Sequence, residues 1–157
     1  MGYIRDLREH IGTQTIKVPG GRAILANPEG KVLLQKRTDF GIWGLPAGCP
    51  EADETALESI VREVFEETGL TMLDPRCIGY SSNPAYECIE YPNGDLIHCY
   101  SLIFVATSWR GEMIERNDEM EALAFFELDS LPELLPNMRR SIEMYRHYRR
   151  TGEFQLD

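Results

Sequence analysis

The spacing of apolar residues divides the chain into helix-like and strand-like stretches. In "YIRDLREHIG" the residues Ile4, Leu7 and Ile11 recur at helical spacing, and Gly12 ends the pattern. "GRAILANPEGKVLLQKR" reads as two apolar strands around the turn Asn27-Pro28-Glu29-Gly30. "DFGIWGLPAGCPEADE" mixes turn residues with large apolar ones and predicts a structured loop holding a short strand. From Thr55 the period becomes helical, with Leu57, Ile60, Val61, Val64 and Phe65 forming an apolar stripe. Thr55-x-x-Glu58 is a capping box at its start, and Gly69 stops it.

Further along, "RCIGYSS" predicts a strand. "YECIEY" and "LIHCYSLIFVAT" predict a hairpin whose Asn93-Gly94 suits a type I′ turn. "ALAFFEL" is another strand, and "SLPELLPNMRRSIEMYRHYRR" has helical character to near the end. This order predicts an α/β (α+β) layered fold, a mixed sheet with one central and one terminal helix. No repeat or low-complexity linker interrupts the chain, and its 157 residues suit one domain, 1–157.

A formal net charge of −10 and a pI near 4.8 argue against a DNA duplex as partner, because duplex binding needs a basic surface. A small anionic substrate stays compatible, since a bound divalent cation inverts the local field. No apolar run is long enough for a membrane span, and no leader follows the first Met, so a cytoplasmic location and no membrane partner are expected. Cys49, Cys77, Cys88 and Cys99 are spaced too widely for a zinc knuckle and read as reduced, buried structural thiols.

Within "REVFEETG", Glu63, Glu66 and Glu67 stand three and four residues apart and share a helix face. Two carboxylates about 5 Å apart repel by roughly 3 kcal/mol at an effective dielectric near 20. Oxygen ligands gathered this way suit a hard divalent cation, which relieves the repulsion when it binds. A solvated acidic face is the alternative on spacing alone.

The wider stretch "GCPEADETALESIVREVFEETGL", residues 48–70, resembles the Nudix box, G-x5-E-x7-R-E-U-x-E-E-x-G-U with U bulky and apolar. Gly48, Glu54, Arg62, Glu63, Val64, Glu66, Glu67, Gly69 and Leu70 all fit, a chance match rarer than about one in 10⁸ per starting position. Trp43-Gly44-Leu45-Pro46-Ala47-Gly48 resembles the family's lead into the box. Ala47 and Asp53 stand where Gly is commoner.

This resemblance to the Nudix hydrolase family, MutT-like and close to small bacterial members, implies an α/β/α sandwich with a mixed β-sheet. It implies that Glu63, Glu66 and Glu67 hold Mg²⁺ or Mn²⁺, with a main-chain carbonyl of Ala47 or Gly48. Arg62 would tie the glutamates in place and Glu54 would anchor the loop. A further glutamate outside the box, Glu119 in preference to Glu121, would serve as ligand or general base, as would Glu67. The implied reaction is Mg²⁺-dependent hydrolysis of a diphosphate linkage in a nucleoside diphosphate derivative.

A nucleoside triphosphate, including an oxidised dNTP, is the first substrate reading; ADP-ribose or a nucleotide sugar is the second. A non-catalytic nucleotide-sensing module is the rival from another class. Arg37 lies where related enzymes set a basic residue against phosphate, or is an exposed strand-end arginine. Asn137 matches in position an asparagine that reads a purine, although a helix cap is the reading its residue type favours. Pro84 falls near a proline of ADP-ribose hydrolases, without the Gly and acidic residues that follow there. Arg139, Arg140, Arg146, Arg149 and Arg150 are read as partners for acidic neighbours or for the second subunit of a homodimer. RNA phosphates are the minor alternative.

Overall fold

The computed structural model describes residues 2–157. Helix α1 (Gly2–Ile11) ends where Gly12 turns left-handed at φ 63 and its N–H bonds the Arg8 carbonyl. Strands β1 (Ile16–Leu25) and β2 (Val32–Arg37) follow, then the short β3 (Trp43–Gly44) and β4 (Ala47–Gly48). Helix α2 (Ala56–Thr68) leads through β5 (Leu70–Leu73) and β6 (Arg76–Ser81) to the single turn α3 (Pro84–Glu87). Then come β7 (Cys88–Glu90), β8 (Leu96–Ala106), β9 (Ser108–Gly111), β10 (Met120–Phe126), α4 (Pro136–Thr151) and β11 (Gln155–Leu156).

The largest sheet runs β11-β6-β8-β1-β4, with β7 also paired to β8. It is mixed: β1 lies parallel to β8 and β11 parallel to β6, while the other pairs are antiparallel. A second sheet, β10-β2-β3, and a β5-β9 pair complete the strands. Ile24 of β1 and Ala26 just after it pack on the α4 side with Ile103, Met138, Ile142 and Met144. Ala23 and Leu25 face the other way, onto Ile60 and Val64 of α2. The period of two therefore serves two cores, which is why "AIL" reads as continuously apolar. The α/β/α sandwich with a mixed sheet is the observed fold.

One local expectation holds and three change. The turn at Asn27–Gly30 forms, but beyond an Ala26–Val32 bridge the flanking strands enter different sheets. The Asn93-Gly94 turn is not type I′, since that type needs φ > 0 at both residues and only Gly94 (φ 86) has it. Pro92, with φ locked negative, takes the first central position, and the Gly94 N–H bonds the Tyr91 carbonyl. "YECIEY" is strand only over Cys88–Glu90, because Asn83 caps the α3 turn and Pro84 opens it. Finally, Leu57 and Phe65 are exposed; the α2 face that packs is narrower than the apolar stripe.

Candidate active site

Helix α2 is held at both ends by local chemistry. Thr55 accepts the Glu58 N–H at 3.2 Å while the Glu58 carboxylate accepts the Thr55 N–H at 2.9 Å. Gly69 closes the other end in the left-handed region, φ 79. Ile60 and Val64 are fully buried, each contributing about 2 kcal/mol of apolar burial. That inward face also carries Glu63 and Glu67, both buried, whereas Glu66 is exposed beside Phe65.

Glu63 lies directly against β4. A Cβ placed on Gly48 would come within 2.1 Å of Glu63 Cδ, so only glycine permits this approach. Gly48 and Ala47 pair with Gly21 and Arg22 of β1, which fixes the strand under the carboxylate. Burial raises the Glu63 pKa, opposed by Arg62 and reinforced by the charges of Glu66 and Glu119.

Arg62 answers the crowding of carboxylates in this structure. Its Nη1 lies 3.0 Å from Glu63 Oε1 and 3.1 Å from Glu66 Oε2. Its Nε and Nη2 form a fork onto Glu54 at 2.5 and 2.8 Å, and Nη2 also reaches the Cys49 carbonyl at 3.3 Å. Glu54 in turn accepts the Glu51 N–H, so loop and helix are joined. The Arg62 hydrogen bonds hold the Glu54 carboxyl down at about 2.

A cavity of about 390 Å³ opens beside this helix. Glu63, Glu67 and Glu119 line it with Ala47 and Gly48; Glu66 does not. Burial lifts Glu67 to about 8, although the Gln35 side chain, the Ala47 N–H at 3.0 Å and the charge of Arg37 all favour its ionised form. Glu119 comes from the segment before β10, with its carbonyl accepting the Thr38 N–H. Glu121 instead pairs with Lys36 at 3.0 Å, half exposed. Among the described residues no three His, Cys, Asp or Glu side chains already surround one point closely enough to hold an ion. Arg62 Nη1 stands between Glu63 and Glu66 there.

Arg37 is no exposed strand-end residue. It lines the cavity and grips Asp39 at 2.9 and 2.6 Å, with Phe40 below its guanidinium. Burial works against its charge, and Asp39 overcomes that, raising its pKa. Asn137 is not the cap of α4. The helix opens at Pro136 after Leu135, which makes no side-chain cap bond. Asn137 is buried one residue further in and lines the cavity.

Sequence reasoning missed what lies behind Asn137. Arg22, 2% exposed, donates Nη1 to the Asn137 carbonyl at 2.9 Å and to Ser141 Oγ at 2.8 Å. Its Nη2 meets the fully buried Glu87 of α3 and Ser101 Oγ of β8. An arginine inside the apolar run "GRAIL" was the available signal, since a buried charge requires a partner. Gln35 was missed for the same reason: a polar residue within "VLLQKR" that is 2% exposed and meets Glu67.

Other residues divide between the cavity and the rest of the fold. Pro84 begins α3 and does not line the cavity. His98 bonds the Ser82 carbonyl at 2.7 Å and lies beside the tilted ring of Tyr100, a structural role. Trp43 packs edge-on to Phe126, whereas Tyr91 reaches the cavity beside Phe40. None of the four cysteines is buried: Cys77 and Cys88 are exposed, because one sits at a strand irregularity and the other on a short outer strand. Cys49 and Cys99 are half-buried in the cavity wall, and that partial burial raises them to about 11 and about 12. On α4, Arg140 pairs with Asp157 and Glu143, and Arg146 with Asp129 and the Leu128 carbonyl.

A mixed sheet lies between helices, with a glutamate-bearing helix over a ligand-sized cavity. The NUDIX domain matches residues 17–148, and the chain belongs to the Nudix hydrolase family. An ADP-ribose pyrophosphatase of Methanocaldococcus jannaschii is 34% identical over 124 residues, 77% of this chain and 69% of that one. A MutT-like protein of Streptomyces ambofaciens is 31% identical over 123 residues, 74% of this chain and 78% of that one. The structure of a MutT NUDIX hydrolase from Burkholderia pseudomallei matches with a TM-score of 0.69 and 28% identity, over 82% of this chain and 98% of that one. No helix among the described residues is long and apolar enough to cross a membrane.

Proposed function

We propose that the chain is a Mg²⁺- or Mn²⁺-dependent pyrophosphohydrolase for a nucleoside diphosphate derivative carrying one base, a nucleoside triphosphate first. One observation carries this reading: a single cavity joins the carboxylates of Glu63, Glu67 and Glu119 to the apolar side chains of Val18, Ile89 and Ile97. The acidic part suits a cation bridging to phosphate; the apolar part suits a base.

The donors fit a hard divalent ion, being oxygens throughout. A buried Glu67 carboxylate held near an arginine but still lifted to about 8 needs further positive charge to ionise at neutral pH. Glu63, Glu67 and Glu119 would hold the ion with a carbonyl of Ala47 or Gly48, and Glu66 would join once Arg62 releases it. Such an ion lowers the pKa of a bound water and neutralises phosphoryl oxygens.

The chain's own groups divide the remaining work. Ala47 N–H and Gln35 keep Glu67 pointed into the cavity, a fixed orientation that suits a ligand. The Glu119 carboxylate has no hydrogen-bond or ion-pair partner among the described residues, which leaves it free to take a proton from water. Arg37, poised by Asp39, presents charge to a phosphate.

A second reading, ADP-ribose as substrate, is favoured by the 34% identical relative that bears that activity in its name. Product analysis with Mg²⁺ distinguishes them. A nucleoside triphosphate yields nucleoside monophosphate and pyrophosphate, and ADP-ribose yields AMP and ribose 5-phosphate. Bound Mg²⁺ with no cleavage across both classes and nucleotide sugars would overturn the enzymatic reading in favour of a sensor.

A further inference from the structure

Helix α1 has an amphipathic face that enters no core. Ile4, Leu7, Arg8 and Ile11 are its half-buried positions, at i, i+3, i+4 and i+7, and Tyr3, Arg5, Asp6, Glu9 and His10 are exposed. It lies before the stretch that the NUDIX domain matches, residues 17–148. Yet two of its side chains, Ile4 and Arg8, line the cavity.

Arg8 clasps the helix to the body. Nη1 donates to the Gly12 and Gln14 carbonyls at 3.0 and 2.6 Å, and Nη2 to the Leu96 carbonyl at 2.7 Å. Its Nε lies 3.7 Å from Asp95 in the β7–β8 turn. With its donors spent on backbone and on Asp95, Arg8 is a structural fork and no free cation for phosphate.

Ile4 lines the same cavity as the apolar residues Val18, Ile89 and Ile97. Val18 pairs with Cys99, and Ile97 with Ile89, so these side chains belong to neighbouring strands of one sheet. Gly21, opposite Gly48, marks the carboxylate end on the same β1 strand. Gly21 is three steps along the strand from Val18, about 10 Å at roughly 3.3 Å per residue. That span is suited to a ribose between a bound phosphate and a ring.

We propose that α1 is a wall of the ring-binding end of this cavity, and that Ile4 is a specificity-determining residue packing on the base over the Val18–Ile89–Ile97 floor. The inference rests on the nucleotide reading above and adds a site to it. Tyr91 and Phe40, rings 5.0 Å apart, border the same space. The occupant is a planar uncharged ring, since the charged lining groups of this region, Arg8 and Asp95, are already engaged with protein.

Two measurements test it, one independent of catalysis. Calorimetry without metal measures binding of a plain nucleoside to wild type, Ile4→Trp and Arg8→Gln, each checked for native circular dichroism. Steady-state assays with Mg²⁺ compare a nucleoside triphosphate with base-free ribose 5-triphosphate. Ile4→Trp fills the ring space, so nucleoside affinity should fall about tenfold or more. The ratio of KM for the nucleotide to KM for the base-free compound should rise by a similar factor. Arg8→Gln should move both in the same direction by less, with faster amide exchange across residues 2–11.

Unchanged nucleoside affinity in folded Ile4→Trp, or an equal KM increase for both substrates, overturns the wall. Nucleoside binding that Ile4→Trp weakens, with no hydrolysis of any diphosphate, leaves the wall standing and removes the enzymatic reading. Hydrolysis that ignores Ile4 removes the wall alone. Failure of wild type both to bind nucleoside and to cleave removes both.

Discussion

Two helices border the same cavity and are anchored in opposite ways. Helix α2 buries Ile60 and Val64, is capped at both ends, and is tied to its leading loop through Arg62 and Glu54. Helix α1 has no fully buried position from Tyr3 to Ile11 and depends on the fork of Arg8. Groups that hold a metal and phosphate must keep position within a fraction of an ångström, so the carboxylates proposed for that role are well served by the over-determined helix. A wall that contacts a base tolerates looser support, and elements with little buried apolar area open most easily. The cavity is thus bordered by a buried, capped helix at its acidic end and by the loosely supported α1 elsewhere.

The largest effects should come from the acidic end. Glu67→Gln is expected to lower kcat by about 10²–10³, in the range found when a key electrostatic group is lost; near-wild-type turnover would break the comparison. The same change should stabilise the metal-free protein at neutral pH. Glu67 keeps its proton in the folded state up to about 8, while the unfolded chain loses it from about 4.5, so the folded state binds more protons between those values. Stability therefore falls as pH rises through that window, and Gln removes the penalty. Melting curves of both proteins at pH 5 and pH 8 in chelator check the sign: the gap should widen at pH 8.

Gly48→Ala tests the close approach to Glu63. Its Cβ would sit 2.1 Å from Glu63 Cδ, so the carboxylate must move or the strand must shift. We expect about 2 kcal/mol of destabilisation, a drop of several degrees in Tm, and loss of most activity. Retained activity with unchanged Tm would show that the packing of Glu63 on β4 is dispensable.

Glu119→Gln against Glu121→Gln sharpens the division between cavity and surface. The first should cost about 10²-fold in kcat if Glu119 accepts the proton. The second breaks an exposed pair with Lys36 and should change stability by about 0.5 kcal/mol or less, with activity kept. Equal effects on kcat would remove Glu119 from its role.

A smaller effect concerns the tie between loop and helix. Glu54 is depressed to about 2 by Arg62, so its contribution is present above the unfolded value near 4.5 and is lost as pH falls toward 2. The Tm difference between wild type and Glu54→Gln should be full at pH 7 and close by about pH 2. A gap that persists unchanged at that pH would assign the effect to packing instead of charge.

Much of the acidic end was legible in the chain because its determinants are local. Thr55, Glu58 and Gly69 set the ends of α2 through bonds spanning three or four residues, and i, i+3 and i+4 spacing put the glutamates together. The same local logic misled at Leu57 and Phe65, which are apolar at the right spacing but have no layer above them. It also misled at Asn93, where Pro92 decided the turn.

By itself, then, the sequence determined the alternation of strands and helices, the capped α2, and the run of carboxylates that marks a Nudix box. Tertiary structure alone decided that Glu63, Glu67 and Glu119 face one cavity and Glu66 does not, that Asn137 lies in its wall, and that Arg22 meets Glu87 behind it. It also decided that α1 turns Ile4 toward the cavity. Each of those outcomes joins residues tens of positions apart, and such contacts form only when the sheet brings β1, β8, α3 and α4 together, where no local period or cap can encode them.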